Sequence, residues 1–210
     1  MAQDPGEPTD LLHRAASGDQ QAVQELFALH RDRLNRMVHL RLSRRLQGRV
    51  DDSDVVQEAL ISISTRLHEY AADPKLPFYL WLRHMTGLKL AEIHRRHLGT
   101  QLRDADREVT LYRGGLPEAD SMSLAAHLLG QLTTPSQAAI KAETRLIVQE
   151  ALNNMDPTDR EVLALKHFEQ LSMSEVAEVL GMSKAGAGSR YLRAIKRLRE
   201  ILSQLPGFLE

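Results

Sequence analysis

The chain has 210 residues, 42% of them apolar, 26% charged and 4% aromatic, with 27 Lys and Arg against 28 Asp and Glu. At roughly 100–200 residues per domain, this length gives one domain or two small ones with cores of their own. A net charge of -1 excludes a histone-like polycation, and the absence of cysteine excludes a disulfide scaffold, an iron–sulfur cluster, a thiol nucleophile and cysteine-based zinc modules.

Apolar residues recur at helical spacing almost throughout, and the strict alternation of a strand is absent, which predicts an all-α protein. Thr9 or Asp10 is placed to cap a first helix, ended by Gly18. A long amphipathic helix follows through Val23, Leu26, Phe27, His30, Leu34, Met37 and Val38, fading near Gly48. Residues 51–54 open another, with Val55, Val56, Ala59, Leu60, Ile63 and Leu67 inward. Pro74 and Pro77 break the chain before a helix that runs from Phe78 to the Arg95, Arg96, His97 cluster and Gly99.

From residue 99 to about 142 the texture turns polar and is punctuated by Gly114, Gly115, Pro117, Gly130 and Pro135. Such a stretch is long for a connection within one domain. The expected architecture is therefore an N-terminal helix bundle (1–98), a linker (99–142) with a short helix at 123–132, and a C-terminal domain (143–210). In the last part, Asp156-Pro157-Thr158-Asp159 supplies an N-cap, a proline at the first helical position and an acid at the positive helix end. Ser172 and Glu175 fit a capping box.

Val176, Ala177, Leu180, Gly181 and Met182 have helix-turn-helix spacing, with Gly181 able to end the first helix in a left-handed turn and Ser183 to cap the second. Ala187, Tyr191, Ala194, Ile195 and Leu198 share one side of that second helix. Ser189, Arg190, Arg193, Lys196 and Arg197 fall opposite. Residues 184–199 hold six Lys or Arg, beginning with Lys184, and no acid. A basic face on a helix that fits the major groove meets phosphates and base edges, so this helix is expected to bind DNA. A merely solvated basic face is the plainer alternative. Gly186 and Gly188 weaken the first turns by roughly 1 kcal/mol each relative to alanine.

Several segments together resemble the sigma factors of bacterial RNA polymerase, in the small extracytoplasmic-function group. Residues 155–163, Met-Asp-Pro-Thr-Asp-Arg-Glu-Val-Leu, are similar to the family's LPxxxREVL. Residues 168–172 (FEQLS) resemble FEGLS, residues 175–183 (EVAEVLGMS) resemble EIAEILGIS, and Ser189-Arg190 with Arg193-Ala194 matches SRxxRA. Near the other end, Asp54-Val55-Val56-Gln57-Glu58 matches DLVQE, with which the family docks on the polymerase clamp helices. Trp81-Leu82 begins the helix that the family uses at the promoter -10 element. There are departures: Ala185-Gly186-Ala187-Gly188 stands where Gly-Thr-Val-Lys is common, and Gly87-Leu88-Lys89 where Arg-Asn-Leu is.

The resemblance implies core RNA polymerase and promoter DNA as partners and admits an anti-sigma factor. It implies -35 contacts from Ser183, Lys184, Ser189, Arg190, Arg193, Lys196 and Arg197, and -10 contacts along the helix that carries Arg83, Lys89, His94, Arg95 and Arg96. It implies polymerase docking through Asp54, Gln57 and Glu58, and Asp51 extends that acidic patch. Phe78 and Tyr79 suit either stacking on unpaired bases or the core, whereas Trp81 is expected in the core. Seven arginines within residues 31–49 make a further candidate surface for a polyanion.

No catalytic constellation, phosphate loop, cofactor motif or metal-ligand spacing occurs, so neither an enzyme nor a bound cofactor is expected. Without a run of about 18 apolar residues no membrane span is expected, and the acidic, proline-containing residues 1–10 are unlike a signal peptide, which points to the cytoplasm. The main competing reading is a dimeric helix-turn-helix regulator that acts on a palindrome without polymerase.

Overall fold

A computed structural model of the chain describes residues 9–98, 116–130 and 138–203. Among them there is no strand beyond an isolated bridge between Gln47 and Val50. The chain divides into two units, one up to Pro117 and one from Glu118.

The first unit contains α1 (Thr9–Ala16), α2 (Gln20–Arg41), α3 (Asp52–Ser64), α4 (Leu67–Ala72) and α5 (Phe78–Leu98). Local chemistry starts the helices: the Asp19 carboxylate accepts from the N–H groups of Gln21 and Ala22, and Asp51 accepts from that of Ser53. Both α2 and α3 pack on α5, and Leu34, Met37, Ile63, Leu82 and Leu90 meet in the core. Covered from two directions, α5 buries far more than one stripe. Gly87 explains a further contact, because a Cβ there would overlap the Leu116 side chain. The glycine lets residues 116–117 lie against α5, and Arg41 Nη1 donates to the Pro117 carbonyl at 3.2 Å to hold them.

The second unit contains α6 (Ser121–Gly130), α7 (Ala138–Asn153), α8 (Pro157–Leu163), α9 (Met173–Leu180) and α10 (Lys184–Leu202). The helix expected at 123–132 inside a linker lies at Ser121–Gly130 and is a core element: Leu124, Ala125, Leu128 and Leu129 are buried, and it packs on α7. Four apolar residues at helical spacing need cover, and α7 gives it. The other parts of the expected linker, residues 99–115 and 131–137, lie outside the described residues.

Asp156 caps α8 through the N–H groups of Thr158 and Asp159, with Pro157 in the first turn. The helix then widens into a π turn, Ala164–Phe168, in which Glu169 N–H reaches the Ala164 carbonyl. Gln170 follows with φ 59°, where the sigma pattern has glycine. A side chain in that left-handed conformation costs roughly 1–2 kcal/mol.

Buried and half-buried imidazoles make both units acid-sensitive. His84, His94 and His167 are held below the ordinary value of 6.5 because burial disfavours the imidazolium; Arg83 adds to this at His84, and Lys166 and His127 at His167. His94 Nε2 faces the Ser43 N–H at 3.3 Å, a bond that needs this nitrogen unprotonated. Well above pH 6.5 the imidazoles are neutral, folded or unfolded. As pH falls through 6.5 the unfolded chain takes up protons first, so folding stability drops until the folded-state pKa values are passed. Thermal midpoints are expected to fall between pH 7 and pH 5, before the carboxylates titrate. A flat profile across that range would contradict imidazoles held neutral by their surroundings.

Candidate nucleic-acid interface

The helix-turn-helix is built by three local devices. Ser172 and Glu175 exchange side-chain and backbone hydrogen bonds in a capping box at the start of α9. Gly181, at φ 61°, turns the chain at its end, and Ser183 starts α10 by accepting from Gly186 N–H at 3.0 Å. Ala187, Ala194 and Leu198 then bury one side of α10, so its rotation leaves Lys184, Ser189, Arg193, Lys196 and Arg197 exposed. Arg193, Lys196 and Arg197 line an open groove of about 440 Å³ with Glu200 and Ile201.

Arg190 departs from the expectation. It sits at the edge of the buried side, where Nη1 donates to Asp159 Oδ1 at 2.7 Å and to Asp156 Oδ1 at 3.1 Å. The Asp159 carboxylate is 5% accessible, and Arg193 Nη1 lies 3.6 Å from its other oxygen. The hydrogen bond to Asp159 is the main reason the guanidinium is held above its usual range. The sequence displays the charge of Arg190 but not the acids that face it from thirty residues upstream.

In the first unit the expected -10 residues separate into two sets. Phe78, Tyr79, Arg83 and His94 are interior, each less than 5% exposed, which corrects the expected surface placement of Arg83 and His94 and gives Phe78 and Tyr79 the core position that was their alternative. Phe78 packs between the rings of His30, Tyr70 and Trp81. The Tyr79 ring stacks near His30 and carries the Arg33 guanidinium 3.6 Å from its centroid. Burial from both α2 and α3 is the physical reason. Arg95 and Arg96 remain exposed at the end of α5, the latter paired with Glu92 at 2.6 Å. Lys89 is mostly covered, 3.1 Å from Glu92 and 3.9 Å from Glu58.

The acidic patch is exposed throughout: Asp51, Asp54, Gln57 and Glu58 all face solvent on or beside α3. Asp51 also caps α3, and its hydrogen bonds from the Ser53 side chain and N–H hold its carboxyl below the usual range. Ile61 extends the Asp54, Gln57, Glu58 row by one helical turn and is 63% exposed.

A model of the sigma-70 region 4 family matches residues 145–198, the segment that forms the helix-turn-helix. Relatives match over nearly the whole chain. The extracytoplasmic-function RNA polymerase sigma factor ShbA of Streptomyces griseus is 29% identical, over 92% of this chain and 94% of that protein. The sigma factor CnrH of Cupriavidus metallidurans is 28% identical, over 91% of this chain and 92% of its own. Over nearly its whole length the chain is similar to extracytoplasmic-function sigma factors, and residues 145–198 match sigma-70 region 4. A solved structure of CnrH in complex with the cytosolic domain of CnrY superposes on this chain with a TM-score of 0.54 and 22% identity, covering 93% of this chain and 97% of that one, and so shares its fold.

Two apolar positions in this chain went unnoticed in the sequence. Leu192, 67% exposed, lies in the middle of the outward face of α10, and Ile61 lies beside the acidic row. Their signal is faint: each is an apolar residue off the buried stripe of its own helix. No helix among the described residues is long and apolar enough to cross a membrane, and no group of three His, Asp or Glu there is arranged to hold a metal ion.

Proposed function

We propose that this chain is a sigma factor that directs promoter-specific initiation by joining core RNA polymerase and holding the -10 and -35 elements with separate domains. The first unit serves as the region 2-like domain. It docks through Asp51, Asp54, Gln57 and Glu58 and approaches the -10 element with Lys89, Arg95 and Arg96. The second unit serves as the region 4-like domain and lays α10 in the major groove at -35. The observation that carries this reading is the outward basic face of α10 on a helix-turn-helix, joined to whole-length likeness to polymerase sigma factors. Major-groove docking needs such a face.

The chain does no bond chemistry in this scheme, which takes place in the cytoplasm with polymerase as the enzyme. Two modest binding events on one promoter multiply, so neither domain has to hold DNA tightly alone. An anti-sigma protein is a fitting third partner.

Transcription in vitro from a randomised promoter library tests the reading. Core polymerase with the chain added is expected to initiate from a subset of templates that share two spaced elements, and core polymerase alone is not. An unchanged template distribution would refute it. Docking is tested separately by Glu58→Lys, an exposed change that places a cation near Lys89 and is expected to leave folding intact. Charge reversal at an interface weakens association by about tenfold or more, and wild-type affinity for core polymerase in a pull-down would remove the docking face.

A further inference from the structure

We propose that Arg190 is a positioning residue that fixes the rotation of α10 on α8, and that it makes no contact with DNA. This rests on the -35 reading of α10 and assigns one of its residues a different task. Three observations support it. Asp159 is a nearly buried carboxylate, 5% accessible, and a carboxylate in that position needs a cation; the Arg190 guanidinium, at 2.7 Å, is the near one. Asp156 Oδ1 takes a second hydrogen bond from the same Nη1 at 3.1 Å while it caps α8 through Thr158 N–H at 2.8 Å. One guanidinium therefore ties the first turn of α8 to the middle of α10. Arg190 also lies between the buried residues Ala187 and Ala194, so its attachment sets which residues point outward. Held there, α10 presents Ser189, Leu192, Arg193 and Lys196.

Charge bookkeeping points the same way. Asp156 and Asp159 both take hydrogen bonds from Arg190, whereas Arg193, 64% exposed and 3.6 Å from Asp159, keeps its guanidinium in water. A phosphate brought to Arg190 would meet two carboxylates that already accept its hydrogen bonds. Counterion release, which makes log affinity fall with log salt, comes from cations that neutralise phosphates. A guanidinium neutralised within the protein adds little to that slope.

Opposite-charge variants separate positioning from contact. Holoenzyme made from core polymerase and the full chain is titrated against a promoter fragment recovered from the library, at several salt concentrations. Arg190→Ala and Asp159→Asn shift the charge in opposite directions. Positioning predicts that both weaken binding, each by roughly tenfold, with the double variant no weaker than either single one within about twofold. It predicts a salt slope for Arg190→Ala equal to that of the wild type.

A DNA contact predicts the reverse. Asp159→Asn would bind as tightly as the wild type or more so, and Arg190→Ala would flatten the slope by roughly 0.9; either result overturns the proposal. Thermal unfolding of the same variants without DNA gives an independent measure of the coupling. Destabilisation by Arg190→Ala and by Asp159→Asn that does not add supports the strut, and strictly additive effects overturn it. If Arg193→Ala also leaves the slope unchanged, the -35 reading of α10 fails, while the unfolding measurement still decides whether Arg190 and Asp159 act as a unit.

Discussion

Replacing Arg193, Lys196 and Arg197 together by alanine is expected to lower the affinity of the holoenzyme for its promoter on the order of 10²-fold near 0.1 M salt. It is also expected to reduce the log–log salt slope by about 2.7, since each phosphate contact contributes about 0.9. All three side chains are exposed, and they line one groove on the outer side of α10. Their contacts within the protein are weak. Lys196 is 3.9 Å from Glu200 with both side chains largely in water, and Arg193 is 3.6 Å from Asp159. An exposed pair such as Lys196 with Glu200 contributes about 0–1 kcal/mol, and Asp159 keeps its hydrogen bond from Arg190 when Arg193 is removed, so folding should be little changed. Large loss of DNA affinity with preserved thermal stability is therefore the signature expected of a phosphate-binding face. An unchanged slope in the triple variant would mean that α10 lies away from the duplex.

Long amphipathic helices were readable from the sequence because one face of each meets the core. In α3 the inward positions Val55, Val56, Ala59, Leu60 and Ile63 are all buried, as their spacing indicates. Caps were equally readable: Asp156, Ser172 and Ser183 each accept backbone N–H groups at the start of a helix. These are local devices, fixed by residues three or four apart.

What was not readable depends on neighbours distant in the chain. Arg83 and His94 have the composition of a surface, but α2 and α3 cover α5 from two directions and leave little of its circumference in water. Arg190 looks like its neighbours Arg193 and Arg197 until Asp159 is brought against it. The 121–130 helix was obscured by its surroundings instead. Glycine and proline on either side gave the stretch the texture of a linker, although Leu124, Ala125, Leu128 and Leu129 carried a helical stripe of their own. Local charge and punctuation describe a segment's own preferences, and the partner that covers it decides which residues remain for function.

Phe78 shows how that distinction is measured. It is 1% exposed, with ring centroids of Tyr70, His30 and Trp81 at 5.3, 5.5 and 5.8 Å. Deleting a buried phenyl ring removes its transfer energy and leaves a cavity, together about 3–5 kcal/mol. A domain commonly has only about 5–15 kcal/mol of stability, so Phe78→Ala is expected to bring the first unit close to unfolding. Trp81 makes this measurable in the full chain, because it is the sole tryptophan and lies against the deleted ring. Its fluorescence follows the first unit alone, which avoids treating two units as one transition. The urea midpoint read at Trp81 should fall steeply with little change in the dependence on denaturant, while helix signal from the second unit persists. A base-stacking phenyl ring on the surface would behave in the opposite way, with loss of promoter opening at wild-type stability. That outcome would require Phe78 to leave its aromatic neighbours when DNA binds, and would return it to the -10 face.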